Sequence, residues 1–126
     1  MRYQPREAQE RALNGIMIVD LRSQDERARE GIIPGSVHVP RSVLEWRVDP
    51  DSGFSNGHVS DPRLELILVC HEGYSSSLAA SSLTDLGHPH VADLVGGFEA
   101  WRAAGLETIV APAPTAGLPG MGGPDR

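Results

Sequence analysis

The chain has 126 residues, of which 40% are hydrophobic, enough for one domain with a real core and too few for two. Eleven basic residues, all of them arginine, stand against seventeen acidic ones and leave a net charge of −6. That balance argues against nucleic acid as a partner, since phosphate backbones demand clustered cations. No apolar run is long enough to span a bilayer. The charged residues 1–7 contain no apolar signal core, so the expectation is a cytoplasmic protein. Cys70 is the single cysteine, which excludes an internal disulfide and leaves two readings, a small buried hydrophobe or a reactive thiol.

Pro5 suits the first turn of a helix that runs to Leu13, and Asn14-Gly15 ends it. Ile16-Met17-Ile18-Val19 is short, β-branched and unalternating, which predicts a strand covered on both faces. Ser23 caps a polar helix through Arg29, with Glu26 completing a capping box and Gly31 as the stop. After the Ile32-Ile33-Pro34-Gly35 turn, Val37-His38-Val39 reads as a short strand, and residues 42–47 as one or two helical turns. Residues 49–62, rich in Asp, Ser, Gly and Asn, read as a long loop. Leu66-Ile67-Leu68-Val69 is a second buried-strand run that ends directly on Cys70. A helix follows from Ser75 or Ser76 to Leu86, then a strand over 91–95, a Gly96-Gly97 turn and a last helix over 98–104. Strands alternating with helices indicate an α/β fold with a mostly parallel sheet. From Glu107 onward Pro and Gly dominate, so residues 1–106 are expected to form the domain and 107–126 a flexible tail, dispensable beyond about Pro112.

The chemistry gathers in Leu68-Val69-Cys70-His71-Glu72-Gly73-Tyr74-Ser75-Ser76-Ser77. A cysteine ends a buried strand, a short loop with one glycine follows, and a helix begins. Amides in such a loop point inward and favour negative charge, so they depress the thiol pKa and hold an anion beside the sulfur. Gly73 permits the backbone turn that lets several N–H groups converge. Glu72 is an anomaly there, because a carboxylate repels the anion the loop is built to hold.

This segment resembles the active-site loop of rhodanese-like sulfurtransferases, and three further blocks agree in family order. Ile18-Val19-Asp20-Leu21-Arg22 resembles the first central strand with its Asp-x-Arg ending. The stretch from Gly31 to Pro40 resembles the Gly-His-Ile-Pro-Gly-Ala motif and its strand, with Ile32 in the histidine's place. The stretch from Gly96 to Leu106 resembles the closing Gly-Gly-aromatic-x-x-Trp helix. Many members end the catalytic loop with arginine where this chain has Ser75. The form Cys-x-x-Gly-x-Ser-Ser, found in some single-domain thiosulfate sulfurtransferases, fits Cys70 to Ser76.

The resemblance implies a three-layer fold, with a five-stranded, mostly parallel central sheet flanked by helices. It also implies a two-step sulfur transfer through a Cys70 persulfide, with His71, Glu72, Gly73, Tyr74, Ser75 and Ser76 as the substrate-binding loop. The implied partners are a small sulfur donor and acceptor, or a thiol protein, with no metal and no organic cofactor. Among supporting residues, Asp20 and Arg22 suit a structural ion pair, while Arg41 and Arg47 are candidates to attract the donor against a default of solvated surface cations. Trp101 reads as a packing residue and Trp46 as a lip of the pocket. A zinc site at His88 and His90 is not expected without a second cysteine. Two other functions compete: an idle interaction module, disfavoured by the intact cysteine, and a cysteine-dependent phosphatase or arsenate reductase. The latter needs an arginine six positions after the cysteine, where Ser76 stands.

Overall fold

The structure, a computed structural model, describes residues 1–114 and 117–126. Its elements are β1 (Arg2–Tyr3), α1 (Pro5–Leu13), β2 (Met17–Asp20), α2 (Gln24–Glu30), β3 (Val37–His38), α3 (Leu44–Val48), β4 (Leu66–Val69), α4 (Tyr74–Asp85), β5 (Val91–Leu94) and α5 (Gly97–Ala103), with a 3-10 turn over Arg41–Val43 leading into α3. The strands form one sheet in the order β1-β5-β4-β2-β3, and every pairing is parallel. β4 lies at the centre, paired with β2 on one side and β5 on the other. A central strand buried on both faces needs an unbroken apolar run, and all four residues of β4 are buried.

The period of two divides β4 between two cores. Leu66 and Leu68 join Val19, Val37, Leu44, Val59, Ala79 and Leu83 on the face covered by α3 and α4. Ile67 and Val69 join Tyr3, Ala8, Ile18, Leu94, Phe98 and Trp101 on the face covered by α1 and α5. This three-layer arrangement is the one expected from the sequence. The capping box of α2 is formed, with Ser23 Oγ accepting from the Glu26 amide and Glu26 Oε1 accepting from the Ser23 amide, each at 3.2 Å. β1 has no counterpart among the predicted elements. It is two residues long, and its pairing with Asp93 and Leu94 of β5 is a tertiary match that no local periodicity records.

The C-terminal segment differs from the expected free tail. It holds no helix or strand among its described residues, yet it runs back over the domain. The Trp101 indole donates to the Glu107 carbonyl at 2.9 Å, and Ile32 and Ile109 exchange backbone bonds as an isolated antiparallel bridge. Arg47 and Asn56, both 3% exposed, donate to the carbonyls of Pro119, Gly120 and Gly122 at 2.8–2.9 Å. Asp125 exchanges backbone bonds with Gly35 and Ser36, and its carboxylate meets Arg27 at 3.0 Å. Composition alone misses this docking, because the segment contributes carbonyl oxygens rather than apolar side chains. The receptors are buried polar groups elsewhere in the chain.

Removing residues 117–126 leaves the Arg47 and Asn56 donors without these acceptors. The truncated chain should lose about 1–3 kcal/mol of stability, read as a lowered thermal midpoint. An unchanged midpoint would show that the segment rests on the domain without stabilising it.

Candidate active site

β4 delivers Cys70 to the C-terminal edge of the sheet, where open α/β folds collect their ligands. The chain then turns sharply, because Gly73 adopts φ +95° before α4 begins at Tyr74. That left-handed conformation is free for glycine and strained for any other residue. Gly97, at φ +63°, lies directly against this turn. A Cβ there would stand 2.7 Å from the His71 carbonyl oxygen and 2.8 Å from the Gly73 nitrogen. The approach is closed by two backbone bonds, Phe98 N–H to the Cys70 carbonyl at 2.8 Å and Glu99 N–H to the His71 carbonyl at 3.1 Å. The loop is therefore seated on the first turn of α5.

The result is a sulfur surrounded by donors. Cys70 is 6% exposed, and the amides of Gly73 and Ser76 point at Sγ at 3.0 and 3.4 Å. The hydroxyl of Ser76, a fully buried residue, lies 3.3 Å away, placed to accept from the thiol and to donate to the thiolate. Burial pushes the Cys70 pKa up, but hydrogen bonds from the Ser75 and Ser76 side chains and the Ser76 and Gly73 amides outweigh it. The net displacement is below the ordinary thiol value. The N-terminus of the twelve-residue α4 adds its dipole in the same sense.

The remaining side chains of the loop are more exposed. Tyr74 is exposed on the first turn of α4, and Ser75 is exposed beside it. Glu72 is more than half exposed, with Oε1 3.5 Å from His71 Nδ1. His71 Nε2 meets Glu30 of α2 at 2.9 Å and Glu99 of α5 at 3.8 Å. Burial opposes its charge, but the bond to Glu30 and the fields of Glu30, Glu99 and Glu26 lift its pKa above the ordinary histidine value. Carboxylates thus converge on His71 closely enough to resemble a cation site, but the ring nitrogen already occupies the hydrogen-bonding position on Glu30.

Asp20 and Arg22, both 2% exposed, form the ion pair suggested by their place at the end of β2. Arg22 Nε and Nη2 grip the two carboxylate oxygens at 3.1 and 2.9 Å, and Nη2 also reaches the Gly31 carbonyl at 2.8 Å. The guanidinium carbon stands 3.7 Å from the centre of the Phe98 ring, so the pair supports the helix on which the Cys70 loop rests. Arg41 is partly exposed and pairs with Glu45 one turn on. Arg47 corrects the default of a solvated cation: it is buried, and its donors go to the carbonyls of Phe54 and Pro119. Trp46 is exposed and stacks obliquely on Phe54 at 5.9 Å, while Trp101 is core.

Two contributors were not read from the sequence. Asp93, buried in β5, pairs with Arg2 of β1, and Arg2 reaches the Gly73 carbonyl at 3.4 Å. The signal, an aspartate inside an otherwise apolar strand run, is present in Val91-Ala92-Asp93-Leu94. The second is Phe98, whose ring carries Arg22.

Residues 4–104 match the family described as Rhodanese-like domain. The thiosulfate sulfurtransferase GlpE of Ectopseudomonas mendocina is 36% identical over 102 residues, covering 81% of this chain and 84% of that protein. Among solved structures, a Rhodopseudomonas palustris protein of unknown function, described as a possible tyrosine phosphatase, superposes with a TM-score of 0.78 at 33% identity, covering 84% of this chain and 82% of that one. The human single-domain sulfurtransferase TSTD1 superposes with a TM-score of 0.67 at 25% identity, covering 81% and 95%. With the family match spanning the sheet, the cysteine loop and the helix that seats it, the chain belongs to the rhodanese-like domain family and is a transferase of the rhodanese type.

Proposed function

We propose that this chain takes the sulfane sulfur of thiosulfate, or of a persulfide donor, onto Cys70 and passes it to a thiophilic acceptor. The acceptor is cyanide or a thiol, either small or carried on a protein. The observation that carries this reading is the convergence of the Gly73 and Ser76 amides and the Ser76 hydroxyl on one sulfur. In the first step the Cys70 thiolate attacks the outer sulfur of thiosulfate. A sulfur–sulfur bond forms to Cys70, the bond to the sulfonate sulfur breaks, and its electron pair leaves with sulfite. In the second step the acceptor attacks the terminal persulfide sulfur, and the electron pair returns to Cys70 as thiolate. Donor and acceptor alone balance both steps, so neither calls on a metal or an organic cofactor.

The loop amides stabilise negative charge on whichever sulfur occupies the nest, the thiolate before transfer and the persulfide after it. A phosphate ester fits less well, although one structural relative carries a phosphatase description. Transfer of a phosphoryl group calls for a guanidinium at the sixth position after the cysteine, and here that residue is Ser76. A purely structural module has no use for a thiol on which two amides and a hydroxyl converge. A single cysteine, with no partner for an internal disulfide, suits a reducing compartment, and we place the reaction in the cytoplasm. No helix among the described residues is long and apolar enough to cross a membrane.

Incubation with thiosulfate should add one sulfur, about 32 Da, to the intact mass, and Cys70→Ser should abolish both this adduct and turnover while retaining the fold. Undiminished turnover in the variant would remove Cys70 from the reaction. Alkylation of Cys70 should begin at a lower pH than that of a free thiol. Ser76→Ala deletes one donor to the thiolate and should raise the midpoint by ~0.5–1 pH unit. A midpoint that does not move would leave the stabilisation to the amides alone.

A further inference from the structure

His71 carries a constraint that follows from its ring geometry. Nε2 faces the Glu30 carboxylate at 2.9 Å, and Nδ1 faces the Glu72 carboxylate at 3.5 Å. A neutral imidazole donates from one nitrogen and turns a lone pair outward at the other. Against two carboxylates one of those contacts would be repulsive, and only the imidazolium, a donor at both nitrogens, fits the position. Glu30 itself is 14% exposed, so water does little to relieve its charge, and Arg102 Nη2 of α5 is its other cationic neighbour at 3.8 Å.

The position also matters. His71 follows the nucleophile directly, and its carbonyl is fixed by the Glu99 amide of α5 while its ring is fixed by Glu30 of α2. Four carboxylates, Glu26 and Glu30 of α2, Glu72 of the loop and Glu99 of α5, surround this one ring, and Arg102 pairs with Glu30. That is an unfavourable setting for a dianion such as thiosulfate unless the ring carries its proton.

We propose that His71 is a positioning residue acting as an imidazolium, which fastens the Cys70 loop between α2 and α5 and screens the surrounding carboxylates from an anionic sulfur donor. The part concerning donor binding rests on the sulfur-transfer reading, whereas the protonation state does not. The raised pKa of the folded-state ring agrees with the geometry, and its sign sets the pH dependence. A group with a raised folded-state pKa contributes its stabilisation below the unfolded value and loses it as pH rises through the folded value. Thiolate formation at Cys70 runs the other way, gaining with pH through a midpoint below the ordinary thiol value. The first step should therefore have an acid limb from Cys70 and an alkaline limb from His71.

The test is single-turnover sulfite release from thiosulfate, which keeps the titration of an acceptor out of the profile, together with nitrogen NMR of the His71 ring. The comparison set is the wild type, His71→Gln, His71→Arg and Glu30→Gln. In the wild type the half-saturating thiosulfate concentration should rise about tenfold between about pH 6 and about pH 9. His71→Gln should bind thiosulfate weakly throughout and lack that rise, while His71→Arg, with a permanent charge, should keep tight binding at the alkaline end. Glu30→Gln should shift the alkaline limb to lower pH. NMR should show both ring nitrogens protonated near neutrality, with a midpoint above that of free histidine. An alkaline limb identical in wild type and His71→Gln, or a ring that titrates at or below the free value, overturns the proposal. If wild-type protein acquires no sulfur from thiosulfate at any pH, the sulfur-transfer reading falls, and the NMR midpoint still decides the protonation state.

Discussion

The contact between Gly97 and the turn at Gly73 is the constraint on which the rest of the site depends. Two left-handed glycines let two backbones approach more closely than any Cβ allows, and the Cys70 and His71 carbonyls are satisfied across that contact by the Phe98 and Glu99 amides. Satisfying those carbonyls from outside leaves the amides of Gly73 and Ser76 free to face the sulfur instead of closing a local turn. Preorganisation of this kind means that the donors need no rearrangement when charge arrives. The depressed thiol pKa is thus a property of α5 as much as of the loop, since α5 holds the loop open.

What holds α5 in turn is a buried ionic network. The Asp20 carboxylate accepts from the Arg22 amide and from Arg22 Nε at one oxygen, and from Arg22 Nη2 and Arg27 Nε at the other. Burying such charges is expensive unless every lone pair has a donor, and here the carboxylate is saturated. The network is therefore better understood as fixing geometry than as a source of net stability. Arg22 sits over the Phe98 ring, and Arg27 extends the network to Asp125 in the C-terminal segment. Through these contacts the end of β2, the seat of the Cys70 loop and the C-terminal segment form one connected unit.

The layer architecture and the cysteine loop were legible in the sequence because each has a local signature. β4 is an unbroken apolar run ending on Cys70, the Ser23–Glu26 box has fixed spacing, and the Gly-Gly turn precedes a helix. What escaped was carried by long-range polar pairing. β1 exists only as the partner of β5, Arg2 and Asp93 are 91 residues apart, and Arg47 reads as a surface cation until the Pro119 carbonyl lies beside it. The C-terminal segment is the instructive case. Its Pro and Gly content does prevent regular structure, but irregular backbone still offers carbonyls, and buried Asn56 is built to receive two of them. Apolar periodicity cannot report an interface made of backbone acceptors.

A loop that meets an anion without an arginine relies on dipoles at the sulfur itself, and this shapes the reaction proposed for it. A guanidinium about 4 Å from the anion is worth on the order of 4 kcal/mol at an effective dielectric near 20. A hydrogen bond to a charged group is worth about 1.5–3 kcal/mol, so two amides and a hydroxyl supply a comparable total. The distribution differs, however, because the three donors here converge on the sulfur position itself rather than on the sulfonate end of a donor. In the reaction proposed above, sulfite would leave a loop that contains no arginine to retain it, in a chain whose net charge is −6. The charge left on the proposed persulfide would stay within the amide nest. On this account the replacement of the common loop arginine by Ser75 shifts stabilisation from the donor to the covalent intermediate, so that the first product departs easily and the stored sulfur waits for its acceptor.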